Sequence, residues 1–263
     1  MAENMFTMSL FCGFVCAIAA FAGGFIDAIS GGGGLLTIPA LLLTGVPPHL
    51  ALGTNKVSAC CGTTVALFNF AKHGLVNWRM AGYGIIFSII GSWLGAWLAL
   101  ILESALLGKV LVALLPLAMI ATLLPQKQHD DILPPRDGFR FWVLLPIVCV
   151  AIGLYDGFFG PGTGIFLILA LHWVLKMGLI QASATAKAFN LASNVSAAVS
   201  FIWHDSVYWP LAIIMGVCFV AGNWIGSAVA IKIGSRLVRR LLLVSLVLLL
   251  GTLLWQFFIA PAN

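Results

Sequence analysis

Polar residues divide this chain into ten apolar runs, at 6–29, 35–46, 50–71, 80–102, 105–124, 139–159, 165–175, 182–203, 209–231 and 237–259. Eight are near or above the roughly 20 residues that a helix needs to cross a bilayer. The other two, 35–46 and 165–175, are too short, and each directly follows a cluster of glycines. The first cluster is Gly31, Gly32, Gly33 and Gly34, just after Asp27; the second is Gly160, Gly162 and Gly164, just after Asp156. Their flanks are too apolar for a loop in water. In hydrocarbon, non-helical backbone is tolerated only where protein buries it or it lines a wet cavity. Paired breaks at corresponding positions point to a transporter's binding site. The pattern predicts an all-α polytopic membrane protein with a short or broken helix at each glycine cluster.

The two clusters belong to a duplication. Asp27, Gly31 and Gly33 match Asp156, Gly160 and Gly162 at an offset of 129 residues. After a two-residue slip the offset becomes 131, pairing Thr54 and Lys56 with Thr185 and Lys187, Phe70, His73 and Trp78 with Phe201, His204 and Trp209, and Gly91, Trp93 and Gly95 with Gly222, Trp224 and Gly226. The halves are residues 1–125 and 139–263, joined by a polar connector at 126–138 whose charges are mixed and whose Pro134 and Pro135 prevent a helix.

Counting basic residues selects between two arrangements of the short runs. With eight full spans and two re-entrant segments, Lys and Arg divide five against six across the membrane. With both short runs carrying the chain across, they divide ten against one, with only Lys109 opposite. The positive-inside rule prefers the second arrangement. Each half then makes about five passes, so its copy enters the membrane upside down as an inverted repeat, and both termini lie outside the cytoplasm.

Composition narrows the class further. The chain is 62% hydrophobic and 8% charged, with a mean hydropathy of +1.10, against roughly 25% charged residues in a soluble domain. The formal net charge of +5 does not indicate nucleic acid, because the basic residues sit singly between apolar runs, where they orient the protein. Six cysteines, all in apolar runs with no CxxC, form no disulfide framework. The first run follows no basic start, so it reads as a retained helix, not a signal peptide. No HExxH and no Cys/His cluster supports a metal site. No Gly-x-Ser-x-Gly supports a hydrolase, and no Gly-Lys-Ser/Thr follows the glycines to make a P-loop. The sequence points to no enzyme and no cofactor.

The candidate chemistry lies in matched positions. Lys56 and Lys187 sit near the starts of long apolar runs, in Gly53-Thr54-Asn55-Lys56 and Ala184-Thr185-Ala186-Lys187. A charge in a membrane segment is costly and marks a functional site unless it snorkels to the interface. Two inward ammoniums beside glycine-opened backbone favour an anionic substrate. Glycine admits close backbone approach, and free N–H groups at a helix start attract anions; close helix packing is the alternative. Asp27 and Asp156 are candidates for a coupling proton or sodium ion, or N-caps for the short helices. Asn190 and Asn194 stand one turn apart on one helix face, as ligands or as interhelical hydrogen bonders. The substrate set is therefore Lys56, Lys187, Thr54, Asn55, Thr185, Asn190, Asn194 and the two glycine clusters.

The stretch from Gly23 to Pro39 with Thr54-Asn55-Lys56, and its second-half partner from Tyr155 to Pro161 with Ala184-Thr185-Ala186-Lys187, resembles the TauE/SafE family of sulfite exporters, or 4-toluene sulfonate uptake permeases, in its YfcA-like branch. The resemblance implies an inner-membrane secondary carrier for small sulfur-containing or organic anions such as sulfite, sulfonates or sulfoacetate. Its implied partners are that anion, a coupling proton or sodium ion, the lipid bilayer, and a second copy of the chain in a homo-oligomer. An anion channel on the same frame is the alternative. One departure from internal symmetry stands out: Asn55 is matched by Ala186, so the two ends of the site are not chemically equal.

Overall fold

A computed structural model describes residues 10–107, 109 and 138–233, and these residues are all-helical. The helices are α1 (Leu10–Ser30), α2 (Gly34–Leu43), α3 (Pro48–Lys72), α4 (Trp78–Ile101), α5 (Leu145–Phe158, entered through a π-helical turn at Arg140–Leu144), α6 (Thr163–Trp173), α7 (Leu179–Trp203) and α8 (Trp209–Ile233). Each follows an apolar run to within a few residues. The connector, the tenth run and most of the fifth lie outside the described residues.

Among the described residues, four helices are long and apolar enough to cross a membrane: α1, α4, α5 with its π turn, and α8. They present Phe14, Ile18, Trp93, Trp97, Ile147, Ile213, Val217 and Trp224 on the outside. Helices α3 and α7, each of 25 residues, are the less apolar ones, and most of their Thr, Asn and Ser side chains are buried, as are Lys56 and Lys187. Exposed apolar rings around a buried polar middle is the polarity of a protein solvated by lipid.

Neither short helix is long enough to cross by itself. α2 has 10 residues and α6 has 11, so each reaches about 15 Å at 1.5 Å per residue, half of a bilayer core. α2 folds back along α1: the Cα of Gly23 packs on the Gly33 carbonyl and Thr37, and the thiols of Cys12 and Cys16 reach Thr44. Gly31, at φ +78°, makes the turn. This hairpin therefore begins and ends at the same end of the molecule. The second hairpin, α5–α6, turns through Gly160 and Gly162, both at positive φ, and the Tyr155 hydroxyl pins its tip by donating to the Pro161 carbonyl at 2.6 Å.

The hairpin tips meet. A Cβ on Gly31 would lie 2.3 Å from the Gly164 backbone, so the two turns touch main chain to main chain and neither position has room for a side chain. Around them, helices pack in matched pairs drawn from opposite halves: α1 on α8 and α4 on α5, α3 on α8 and α7 on α4, with α3 against α7 at the centre. Gly222 and Gly226 of α8 sit on the backbone of Phe21 and Phe25, while Gly91 and Gly95 of α4 sit on that of Val150 and Leu154. Small residues four apart let membrane helices approach this closely. The repeat match had paired these glycines without giving them a role.

Candidate functional site

Two buried ion pairs cross between the halves just behind the hairpin tips. Lys56 of α3 meets Asp156 of α5 at 2.7 Å, and Lys187 of α7 meets Asp27 of α1 at 2.9 Å. Both lysines are 1% exposed, so neither snorkels to an interface. Neither ammonium is free: each is neutralised by the carboxylate of the other half, a pairing that the sequence did not indicate. The physical reason is the cost of burying a lone charge, several kcal/mol per ion even after relaxation, which pairing offsets. The N-cap role weighed for the aspartates is not what the helices use. Gly33 precedes α2 and Gly162 precedes α6, neither with a side-chain cap bond.

The two pairs have different surroundings. The Lys56 ammonium also donates to Asn194 Oδ1 at 3.0 Å, and Asn194 Nδ2 donates to Asn190 Oδ1 at 3.0 Å. An ammonium can only donate. Lys56 therefore fixes which end of Asn194 faces it, Asn194 in turn fixes Asn190, and the Asn190 amide N–H2 is left without an acceptor among the described residues. The Thr37 hydroxyl lies 2.5 Å from the Asn55 side-chain amide and 3.2 Å from the Gly33 carbonyl oxygen, which can also take its single proton. Ser193 donates to Asp156 Oδ2 at 2.6 Å and is itself held by Ser92, which donates to its carbonyl at 2.6 Å. Lys187 is held instead by the Asp27 carboxylate and main-chain carbonyl together, and Ser183 beside it donates to the Ile29 carbonyl at 3.2 Å.

A polar cavity of about 20 Å³, room for about one water, lies where these groups converge. Lys56, Asp156, Asp27, Asn55, Asn190 and Asn194 line it; Lys187 does not. Gly31, Gly34, Gly160 and Gly164 supply its backbone walls. At Gly160 a Cβ would stand 3.1 Å from the Lys56 ammonium, so glycine there lets the cation lie against main chain.

Three predicted glycines and two predicted threonines fall elsewhere. Gly32 packs near Ile26, Ile165 and Leu35, Gly33 packs against Asp27 and Phe219, and Gly162 serves the turn. Thr54 and Thr185 act as matched latches: Thr54 Oγ1 accepts from the Tyr208 N–H at 3.0 Å, and Thr185 Oγ1 accepts from the Asn77 N–H at 3.1 Å. Each latch holds a loop of one half over the start of the central helix of the other. Outside the Thr54 latch is a larger basin of about 490 Å³, bounded by His49, Ser104, His204 and Asp205. Below it, Ser206 O presses on Gly53, where a Cβ would be only 1.9 Å away. His49 and Lys56 are seven residues apart on one face of α3, so about 10 Å of helix separates basin from cavity. Among the described residues no group of three His, Cys, Asp or Glu is placed to hold a metal.

Sequence reasoning missed Phe219 and Ala59, and gave Ser193 no role beyond a neighbouring polar group. Phe219 and Ala59 line the cavity, and Ser193 supports Asp156. The offset of 131 offers the signal: it pairs Phe219 with Ser88, Ala59 with Asn190 and Ser193 with Gly62, three places where the halves differ in chemistry.

Comparison with known proteins is consistent along the chain. The family model described as Sulfite exporter TauE/SafE matches residues 16–253. A probable membrane transporter protein ORF9 of Sinorhizobium sp is 37% identical, covering 86% of both chains. A probable membrane transporter protein of Haemophilus influenzae is 35% identical over 85% of this chain and 87% of its own. The probable membrane transporter protein YfcA of Escherichia coli K12 is 33% identical over 92% of this chain and 89% of its own. No solved structure gives a significant match.

Proposed function

This chain belongs to the sulfite exporter TauE/SafE family, and we propose that it is a secondary carrier of a small anion, sulfur-containing or organic, working by alternating access in a bacterial inner membrane. The observation that carries the reading is the polarity of the hydrogen-bond relay. Lys56 donates to Asn194 and Asn194 to Asn190, and the Asn190 amide N–H2, at the cavity wall, has no acceptor among the described residues. A donor turned toward the cavity favours an acceptor-rich guest, and an oxyanion is one. Glycine-opened backbone at the tips of both hairpins adds to the same preference.

Carrier over channel is supported by closure on both sides. The cavity takes a single water, not a sulfite, and a latch lies on either side of it. A guest of that size enters only if the tips part. The crossed ion pairs, the swapped latches and the exchanged helix pairs support an inverted repeat in which one half rocks against the other. With each hairpin entering and leaving on one side and three further passes in each half, the Lys and Arg residues between the apolar runs divide ten against one, as they do when both short runs cross, so both termini face away from the cytoplasm.

The test is flux in proteoliposomes. Sulfite, thiosulfate or sulfonate uptake is expected to saturate with concentration and to fall on the order of 100-fold in Lys56→Ala, the loss of a charged hydrogen bond. Uptake rising linearly with concentration, or unchanged in Lys56→Ala, contradicts it.

A further inference from the structure

We infer that Asp156 carries a coupling proton, and that anion and proton enter the site together by exchange at Lys56, one proton for each anion. This rests on the carrier reading above.

The argument is one of charge and access. The charged groups behind the hairpin tips are Lys56 from α3, Asp156 from α5, Asp27 from α1 and Lys187 from α7. Their formal charges cancel. The thiol of Cys60 on α3 and the phenol of Tyr155 on α5 also feel the Asp156 charge, and both are neutral in this count. An incoming anion leaves the buried cluster with an excess negative charge and no water to solvate it, which is strongly unfavourable. One proton on a carboxylate restores neutrality.

Geometry then selects the carboxylate. Lys56 is the ammonium that lines the cavity, so an anion in the cavity binds there. At 2.7 Å, Asp156 Oδ1 occupies that ammonium. Protonating Asp156 frees Lys56 and turns the carboxyl into one more donor. Lys56 keeps its own proton throughout and exchanges one anionic partner for another. When the anion leaves, the Asp156 proton leaves with it and the ion pair closes again. Asp27 lacks this opportunity. Its ammonium is off the cavity and is held by both the carboxylate and the main-chain carbonyl of Asp27, so an anion has no path to displace it.

For a singly charged anion the cycle moves no net charge. The test uses the full-length protein in proteoliposomes with methanesulfonate, which carries one negative charge at every pH used, alongside sulfite and thiosulfate. Wild-type methanesulfonate uptake is expected to follow an inward proton gradient and to ignore a potassium–valinomycin potential. Asp156→Asn is expected to reverse this, with a pH gradient no longer driving uptake and an inside-positive potential driving it. Ser193→Ala keeps the carboxyl but removes its donor at 2.6 Å. It is expected to stay proton-driven and electroneutral. The inference is overturned if Asp156→Asn remains proton-driven, if Asp27→Asn is the variant whose uptake becomes potential-driven, or if a sodium gradient drives wild-type uptake at equal pH. No uptake of any of the three anions removes the carrier reading and this inference with it. Anion uptake indifferent to the proton gradient removes this inference alone.

Discussion

The Lys56–Asp156 and Lys187–Asp27 pairs occupy matched places and have come to differ in everything around the charges. Around Lys56 stand Asn194, Asn190 and Ser193, joined in one hydrogen-bonded chain that opens on the cavity. Their counterparts in the other half are Thr63, Ala59 and Gly62. There the network is missing: the Thr63 hydroxyl oxygen is buried without a partner, and Phe219 fills the space beside Gly33. Duplication preserved the charges, because removing either member of a buried pair strands the other. It did not preserve the neutral ligands, which were free to change. The difference supports the proposed division of labour, in which the Lys56 pair would serve as the ligand site and the Lys187 pair as a brace between α1 and α7.

Stability is where this comparison breaks most visibly if it is wrong. Lys187→Ala leaves Asp27 buried without its cation, and the expected loss is about 3–5 kcal/mol, seen as a collapse of the melting temperature in detergent. Lys56→Ala is expected to cost clearly less, because Ser193 still donates to Asp156 and the adjoining cavity admits a water. Equal losses would mean that the two pairs are equivalent.

A smaller effect sharpens the same contrast from the latches. Thr54→Val and Thr185→Val each remove one neutral hydrogen bond, about 1 kcal/mol, and should bias the resting protein toward opening on one face. In a cysteine-free background carrying Asn190→Cys, a membrane-impermeant thiol reagent should label several-fold faster from the basin side in Thr54→Val and from the opposite side in Thr185→Val. Thr54→Ser and Thr185→Ser, which keep the acceptor, should restore the parent rate. Faster labelling from one and the same side in both valine variants would break the proposed equivalence of the latches.

Much of this was legible in the sequence. The helices follow the apolar runs, and the glycine clusters lie where the chain turns back. The duplication that pairs Lys56 with Lys187 reappears as crossed ion pairs. What was not legible was which residues touch. Nothing in a single chain says that Asp27 reaches across to Lys187, although the penalty on a lone buried charge requires each lysine to find an anion. Thr54 and Thr185 look like ligands because they sit two residues from the lysines, but two residues along a helix is about 200° around it, so they face a loop instead. Phe219 carries no chemical signature at all and becomes visible only when its matched position, Ser88, is compared with it.

The central claim is that a small anion binds at Lys56 between the hairpin tips. Thermal melting of the purified full-length protein against sulfite, thiosulfate and sulfonates tests it most directly, since a ligand at 100 times its Kd stabilises the folded state by about 2.7 kcal/mol. The account predicts a rise in melting temperature with at least one of these anions in the wild type, reduced in Asn190→Ala and absent in Lys56→Ala. The same rise in Lys56→Ala as in the wild type would contradict it.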